Sequence, residues 1–329
     1  MPGQAGHLPP PLWGRVGVGG LKLPNEHFVV PPHWEWYILG YFFFAGISGG
    51  SYVLGSMLRL WGDARDAAAS RIAFLISFPT LLICPILLTL DLGQPLRFWH
   101  FLINDSSGGL AFKPWSPMSL GAWALLLFGI FSFVMFLSAL SEGGIVHRRA
   151  LATAASFVAG VVGGIFMVIG ALFGLFIAAY TGVLLAVSNQ PVWSDTWALG
   201  GLFLASALSG SAACVLLATR TRRDAIATDR KLIEADRYFI LLELALIVLF
   251  LATLGGVLSK VLTGGWIILW VIVLAGTLIP LALHWRATRM RATVTAVGTA
   301  AADISLLAPV LVLLGVLALR AVVIFSAQA

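Results

Sequence analysis

Charged residues are scarce in this chain of 329 residues, where Asp, Glu, Lys and Arg together make up only 10%. Soluble domains carry about 25% charged residues, so a surface that is mostly in water is excluded. Hydrophobic residues make up 60%, and the mean hydropathy is +0.97. We therefore expect an integral membrane protein. The net charge of +6 lies in short segments between apolar runs, which argues against a nucleic-acid partner.

Metal-binding and nucleophilic motifs are lacking as well. Cys84 and Cys214 stand alone in apolar segments, so this chain is not expected to ligate an iron–sulfur cluster. No histidine falls in the middle of a predicted span, where a membrane haem needs its axial ligands. No phosphate-binding loop, zinc-protease motif or nucleophile elbow occurs. We expect neither a metal site nor a catalytic residue for a terminal substrate on this chain.

The first 35 residues lack the apolar core of a secretory signal peptide. They are rich in Pro and Gly, as in LPPPLWGRVGVGG, and are predicted to form an irregular tail over residues 1–35. The remaining residues, 36–327, are expected to form one membrane domain.

A membrane-spanning helix needs about 20 apolar residues, and eight stretches meet or nearly meet that length. They predict an all-α bundle of eight transmembrane helices. The fourth stretch is long, but no Pro or polar residue divides it, so it is predicted to be one helix. The stretches are 36–58, 72–90, 118–140, 151–187, 197–219, 238–258, 266–283 and 304–327.

The distribution of positive charge predicts the orientation of the bundle. Fourteen of the twenty Lys and Arg residues lie in the segments that follow the first, third, fifth and seventh spans. Cytoplasmic loops are enriched in Lys and Arg, so both termini are expected on the outer, periplasmic side. The longest loop, 91–117, then also lies outside. Arg320 is near the end of the eighth span, where its side chain could extend to the membrane interface.

The outer loop opens with LDLGQPLRFWHF at residues 90–101, in which Gly93 and Pro95 indicate a turn after the second span. Asp91 and Arg97 either pair to close this loop or belong to a functional site. Trp99 is either part of the aromatic belt at the interface or part of that site.

Four further residues at or within the spans are functional candidates, because ionisable groups in membranes are commonly functional. His33 and Glu35 precede the first span on the outer side. Tyr180 is either an interface anchor or a binding residue. Glu243 lies inside the sixth span and has either a structural or a proton-transfer role.

Several segments together resemble one family. They are YFFFAGISGGSYVLGS, LDLGQPLRFW, SPMSLGAWAL, YTGVLLAVSNQPVW, LFLASALSGSAA and LLGVLALRAVVIFSAQ. In this combination, spread over residues 36–327, they resemble the NrfD/PsrC family of polysulfide-reductase-type membrane subunits.

The resemblance implies an eight-helix subunit that binds menaquinone or ubiquinone and holds no haem or iron–sulfur cluster. It implies an outer-side, four-cluster ferredoxin-like iron–sulfur partner and a catalytic subunit such as a molybdopterin enzyme. The complex would pass electrons between the quinone pool and that partner in the cytoplasmic (inner) membrane of a bacterium or archaeon.

The resemblance also suggests roles for individual residues. Tyr and His side chains suit a quinone, because each can donate and accept hydrogen bonds. The proton-transfer candidates are Glu243 and Asp303. The quinone-binding candidates are Tyr180, His33, Glu35, Asp91, Arg97 and Trp99.

Two alternatives remain open from the sequence, a secondary transporter and a structural membrane anchor without a redox role. Transporters place broken helices and polar groups near mid-membrane. The predicted spans are mostly unbroken and their polar groups cluster on the outer face, which favours the quinone-reactive subunit.

Overall fold

The computed structural model describes residues 32–104, 108–144, 156–158, 160–220, 225, 228–290 and 300–328, without the side chains of 287–290 and 300–305. The all-helical class is confirmed, and the described residues contain one isolated antiparallel bridge, Ile103–Leu110. The helices are α1 Trp36–Trp61, α2 Ala67–Asp91, α3 Pro117–Glu142, α4 Val161–Ala186, α5 Leu199–Thr219, α6 Asp229–Thr253, the short α7 Leu258–Leu262, α8 Trp266–Met290 and α9 Ala300–Ser326.

Seven to eight of these elements can cross a membrane. Seven helices are long and apolar enough by themselves. The eighth candidate is α6 together with Gly255–Leu262, a pair bent by 101°. The described helices thus agree with the coarse prediction of a membrane bundle.

The bundle is organised around α1. This helix packs against α2, α4, α5 and α9, and 83% of its apolar window is buried inside the protein. The corresponding windows of α2, α3, α4 and α8 are only about a third buried, so these helices present most of their surface to lipid. In a membrane bundle, small residues allow such a central helix to approach several neighbours at once.

The prediction that the fourth span is one helix is wrong. Residues 156–158 are helical, but Gly160 has an extended backbone, and α4 begins at Val161. Glycine has a low helix propensity, so it can interrupt a helix where the sequence has no Pro or polar residue to indicate a break.

The sixth and seventh spans also differ from their predicted bounds. The helix α6 begins at Asp229, nine residues before the predicted start, and ends at Thr253, before a bend at Gly255 with φ of +53°. The helix α8 continues past residue 283 to Met290, so His284 lies within a helix. Charged residues predict the ends of these two spans, whereas the helices continue through them.

The two ends of the bundle have different polar contacts. At one end, called here the terminal face, the chain before α1 meets the end of α9 through Trp34 and Gln328. At the other end, called the basic face, Arg59 forms an ion pair with Glu142, and Lys231 forms one with Asp66. The helices therefore run between two chemically distinct ends.

We predict that Gly49→Ala destabilises the contact between α1 and α4. A methyl group at Gly49 would overlap the carbonyl oxygen of Gly174, and backbone offers no side chain to move aside. Overpacking of this kind costs about 1–3 kcal/mol. Thermal unfolding of the detergent-solubilised chain, followed by tryptophan fluorescence, measures the effect.

The matched control is Gly164→Ala on α4, where the added methyl would only contact Leu60 at 3.8 Å. It should leave the unfolding midpoint unchanged or slightly raised, since Ala favours the helix. Equal midpoints for the two variants would show that the Gly49–Gly174 approach is not tight.

Candidate functional site

The terminal face is held together by a contact between distant parts of the chain. The Trp34 backbone N–H donates to Oε1 of Gln328 at 2.8 Å, and Nε2 of Gln328 donates to the Trp34 carbonyl at 3.3 Å. The Trp34 ring stacks on Trp193 with 5.0 Å between centroids. The Trp193 indole N–H in turn donates to the Val323 carbonyl at 2.7 Å. These contacts fix the chain that precedes α1.

A shallow, largely open depression of about 480 Å³ lies beside this contact. Its lining consists of Trp34, Glu35, Trp36 and Phe325. The rings of Trp36 and Phe325 meet edge to face at 5.5 Å between centroids. Its aromatic rings offer an apolar surface to a planar ligand, and its one carboxylate can exchange protons.

The structure brings Asp91 close to Glu35. Asp91 is the last residue of α2 and is half-buried, and its carboxylate is repelled electrostatically by that of Glu35. Among the described residues, none forms an ion pair with Asp91, so the alternative that Asp91 and Arg97 pair to close the loop is wrong. The two carboxylates instead lie together at the terminal face.

Tyr180 lies inside α4 and is buried. Its hydroxyl donates to the Pro117 carbonyl at 2.5 Å, at the start of α3. Gly121 gives the ring room, because a Cβ there would overlap it. The ring also stacks on Phe176 with 5.4 Å between centroids. The phenol proton is thus held by backbone, while the phenol oxygen keeps its capacity to accept.

Tyr41 is a site candidate that sequence reasoning missed. It is buried on α1, its carbonyl accepts from the Cys84 thiol of α2 at 4.0 Å, and its side chain lies near Tyr180 of α4. Three helices therefore meet around two tyrosines. The available signal was a tyrosine at the start of the glycine-rich YFFFAGISGG segment, but an aromatic residue inside a span is usually packing.

The remaining quinone-binding candidates lie further out. His33, Arg97 and Trp99 are exposed, and Trp99 stacks on His100 with 3.9 Å between centroids. Arg97 and Trp99 belong to a 3-10 helix, Pro95–Phe101, that follows α2. Within the described part of the chain, no hydrogen bond or ring contact joins these three residues to Tyr180.

A second polar group lies in the other half of the bundle and includes Arg320. The prediction that its side chain extends to the interface is wrong, because Arg320 is fully buried. Its Nη1 donates to Oγ of Ser206 at 2.8 Å, and its Nε donates to the Phe42 carbonyl at 3.2 Å. The guanidinium finds its acceptors within the protein, so the side chain need not reach water.

Glu243 of α6 lies beside the same serine and beside Arg320. Its carboxylate is attracted electrostatically by the Arg320 guanidinium. Glu243 is buried, and its Oε1 has no hydrogen-bond partner among the described residues.

Asp236 repeats this arrangement nearer the basic face. It is fully buried, and its Oδ1 accepts from the Ser209 hydroxyl at 2.7 Å. Its Oδ2 lies 3.6 Å from Nδ1 of His284, longer than a hydrogen bond, and accepts no hydrogen bond in the described part of the chain. Sequence reasoning missed both Asp236 and His284 because it placed them outside the spans.

The four groups form a line along the bundle, called here the buried polar file: His284, Asp236, Glu243 and Arg320. Asp236 and Glu243 are seven residues apart on α6, so they share one face about 10 Å apart. Ser209 and Ser206 follow them on α5 in the opposite direction. The side chain of Asp303, the other proton-transfer candidate, lies outside the described residues.

A comparison with protein families establishes the family of this chain. The model of the polysulphide reductase family NrfD matches residues 25–329. This chain belongs to the NrfD family. Membership and the apolar helices together identify it as an integral membrane protein.

Two curated relatives are similar to part of the chain. The C subunit of the selenate reductase of Mesobacillus selenatarsenatis is 31% identical over 70 residues, or 21% of this chain and 16% of that protein. The C subunit of the tetrathionate reductase of Salmonella typhimurium is 33% identical over 105 residues, or 32% of this chain and 28% of that protein. The aligned parts thus span less than a third of either relative.

We predict that Arg320 and Glu243 are energetically coupled. Arg320→Met leaves a buried carboxylate without its cation, and Glu243→Gln leaves a buried cation without its carboxylate. Each single change should destabilise the chain by about 3 kcal/mol. The double variant should lose less than the sum, with a coupling energy of at least about 1 kcal/mol in unfolding by SDS in mixed micelles.

The matched control cycle uses Arg237 and Glu234, an i,i+3 pair at 3.8 Å on the same helix in which the glutamate is exposed. Its coupling energy should stay below about 0.5 kcal/mol. Strict additivity for Arg320 and Glu243 would show that the two charges do not stabilise each other.

Proposed function

We propose that this NrfD-family chain is the quinone-reactive membrane subunit of a respiratory oxidoreductase complex. It exchanges electrons between the membrane quinone pool and an iron–sulfur partner. Two observations support the coarser part, namely the family match over residues 25–329 and the similarity of part of the chain to the C subunits of two reductases.

The observation that carries the quinone proposal is the grouping of protonatable side chains at the terminal face. Glu35 lies near enough to Asp91 there for the two carboxylates to repel each other, and the buried Tyr41 and Tyr180 lie near each other on α1 and α4. An open depression of about 480 Å³ with aromatic walls includes Glu35 in its lining. A quinone head group needs polar partners for two oxygens and an apolar wall for its ring, and this region provides both.

The chemistry requires two electrons and two protons for each quinone reduced, or their release for each quinol oxidised. The electrons come from or return to the partner. The carboxylates of Glu35 and Asp91 accept or donate the protons, as positioned general acids and bases. The Tyr180 phenol donates to the Pro117 carbonyl, so its oxygen is an acceptor that fits a quinol hydroxyl.

The outer candidates fit a docking role better than a quinone contact. His33, Arg97 and Trp99 are exposed, and the last two lie in the loop between α2 and α3. This loop also exposes Leu96 and Trp115, both more than three-quarters exposed. We propose that the loop forms part of the surface for the four-cluster ferredoxin-like subunit, which serves a catalytic subunit such as a molybdopterin enzyme.

The proposed setting is the cytoplasmic (inner) membrane of a bacterium or archaeon, with the terminal face outside. The excess of Lys and Arg near the opposite end supports this orientation. Glu243 and Asp303 are the proposed proton-transfer residues.

A secondary transporter is less well supported. The bend after α6 lies at Leu254–Gly255, about 37 Å from the start of that helix, and so near the terminal face rather than at mid-membrane. Quinol turnover by the purified complex, compared with solute uptake into vesicles, separates the two functions.

We predict that Tyr180→Phe and Asp91→Asn each lower quinol turnover about tenfold or more. The first removes the phenol oxygen that accepts from the quinol, and the second removes a proton acceptor. Steady-state turnover of a short-chain quinol by the purified complex, with a water-soluble redox dye at the partner, measures the loss.

Tyr238→Phe is the matched control, because Tyr238 is exposed at 57% near the start of α6. It should leave turnover unchanged. Turnover within twofold of the wild type for both Tyr180→Phe and Asp91→Asn would remove the terminal-face cluster from the quinone reaction.

A further inference from the structure

We propose that Gln328 and Trp193 are positioning residues for Glu35, which they hold at the terminal face through the backbone and the ring of Trp34. The inference rests on the proposed function, in which Glu35 exchanges protons with the quinone. Three of the four described residues that line the depression belong to the segment 34–36. Whatever fixes this segment therefore also fixes the carboxylate and most of the aromatic wall.

The side-chain amide of Gln328 pairs with both polar groups of the Trp34 backbone. Its Oε1 accepts from the Trp34 N–H at 2.8 Å, and its Nε2 donates to the Trp34 carbonyl at 3.3 Å. The same nitrogen donates to the Ile324 carbonyl at 3.2 Å, which ties the amide to the last turn of α9. An amide carries a donor and an acceptor side by side, whereas a carboxylate of the same length only accepts. Glutamine therefore suits this position for its chemistry as well as its length.

Glu35 depends on this contact because α1 does not place its side chain. Glu35 is the N-cap residue of α1, but its carboxylate accepts no hydrogen bond from the first turn of the helix. The residues before a helix also lack intrahelical backbone partners. Gln328, 294 positions from Trp34, provides partners for that residue, which is bonded directly to Glu35. A residue just after α9 thus holds the backbone just before α1.

Trp193, in the segment between α4 and α5, supports the ring of Trp34. The two indoles stack with 5.0 Å between their centroids and 24° between their planes. Trp193 is fully buried, and its N–H donates to the Val323 carbonyl of α9 at 2.7 Å. A buried indole N–H needs an acceptor, and this hydrogen bond also fixes the plane of the ring. The ring of Trp34 therefore packs against a surface that is itself held in place.

The backbone before Trp193 is strained. Val192 has φ of +72°, in the left-handed region that a β-branched residue seldom adopts. Its N–H donates to Oδ2 of Asp195 at 2.9 Å, which holds the turn closed. Strained residues of this kind persist only where surrounding contacts compensate for them, and they cluster at functional sites. Because one peptide joins Val192 to Trp193, the unusual φ helps to set the direction in which the Trp193 ring leaves the turn.

Both supports are attached to the same stretch of α9. The Trp193 indole donates to the Val323 carbonyl. The Gln328 amide donates to the next carbonyl, that of Ile324. Phe325, the residue after that, lines the depression. The supports and the depression are therefore parts of one connected arrangement. A displacement of about 1 Å near a reacting group can lower a rate about a hundredfold, so loss of either support should be visible in turnover.

The test measures quinol turnover of the purified intact complex with Gln328→Ala and with Trp193→Ala. We expect kcat to fall about tenfold for each, because Glu35 is no longer held where it exchanges protons. Trp193→Phe keeps a ring against Trp34 and should recover most of the rate. Trp197→Ala is the matched control, since Trp197 belongs to the same segment between α4 and α5 but is 69% exposed. It should leave kcat unchanged.

A double variant separates positioning from a general loss of stability. Glu35→Gln alone should lower kcat about tenfold. Adding Gln328→Ala should then change kcat by less than about twofold, because no carboxylate is left to be positioned. Independent losses that multiply to about a hundredfold would show that Gln328 does not act through Glu35, and would overturn the proposal.

A second measurement needs only the wild-type complex and so covers the case in which a variant fails to assemble. Hydrogen exchange, followed by mass spectrometry with fragmentation to single residues, reports on the Trp34 N–H. Because this N–H donates to Gln328, it should exchange at least about tenfold more slowly than an unprotected N–H in the same sequence. Exchange at the unprotected rate would contradict the contact with Gln328 and the proposal with it.

The outcomes separate the two proposals. Wild-type complex that turns over no quinol contradicts the proposed function. Wild-type complex that does turn over quinol, while Gln328→Ala and Trp193→Ala keep kcat within about twofold, contradicts the positioning role alone. Unchanged turnover in Glu35→Gln removes Glu35 from the reaction and the positioning role with it. A loss of about tenfold that disappears in the Glu35→Gln background supports the positioning role.

Discussion

The burial of the Arg320 guanidinium constrains the whole bundle. A cation inside an apolar bundle must be surrounded by acceptors, because exposure to hydrocarbon is unfavourable. Arg320 on α9 meets this need with Ser206 of α5 and the Phe42 carbonyl of α1. Gly46 makes the approach possible, since a Cβ there would lie 2.8 Å from Arg320 Nη2. Three helices are thereby held in register around one charge.

The same charge connects two regions of different character. On one side of α1, Tyr41 lies near Cys84 of α2 and Tyr180 of α4. The Tyr180 hydroxyl donates to the Pro117 carbonyl at the start of α3. On the other side, α5, α6, α8 and α9 hold the buried polar file. The helix α1 packs against helices of both groups. Phe42, whose carbonyl accepts from Arg320, therefore lies on the helix that the two groups share. A protein that brings electrons and protons together needs this kind of shared element.

Much of the fold could be predicted from hydropathy, and the reason is physical. Lipid requires long apolar helices, so α1, α2, α3, α5 and α9 lie close to their predicted bounds. The predictions failed where a charge continues a helix, as at the start of α6 and the end of α8. They also failed at Gly160, where an extended glycine, rather than a Pro or polar residue, interrupts the predicted fourth span.

The candidate site was only partly predictable. Asp91, Glu35 and Tyr180 could be selected because each stands at a span end or in a family-like segment. Tyr41 and Arg320 could not, because their partners are distant in sequence. Ser206 is 114 residues from Arg320, and Phe42 is 278 residues from it. A lone Arg near a helix end is indistinguishable in sequence from one that extends to the interface.

The most direct test of the central claim is photo-crosslinking of the intact complex with an azido-quinone, followed by peptide mapping. The account predicts label within residues 33–41, 84–92 or 176–181, and protection of those residues by excess unlabelled quinone. Protectable label confined to the α5–α6 region or to the basic face would contradict it.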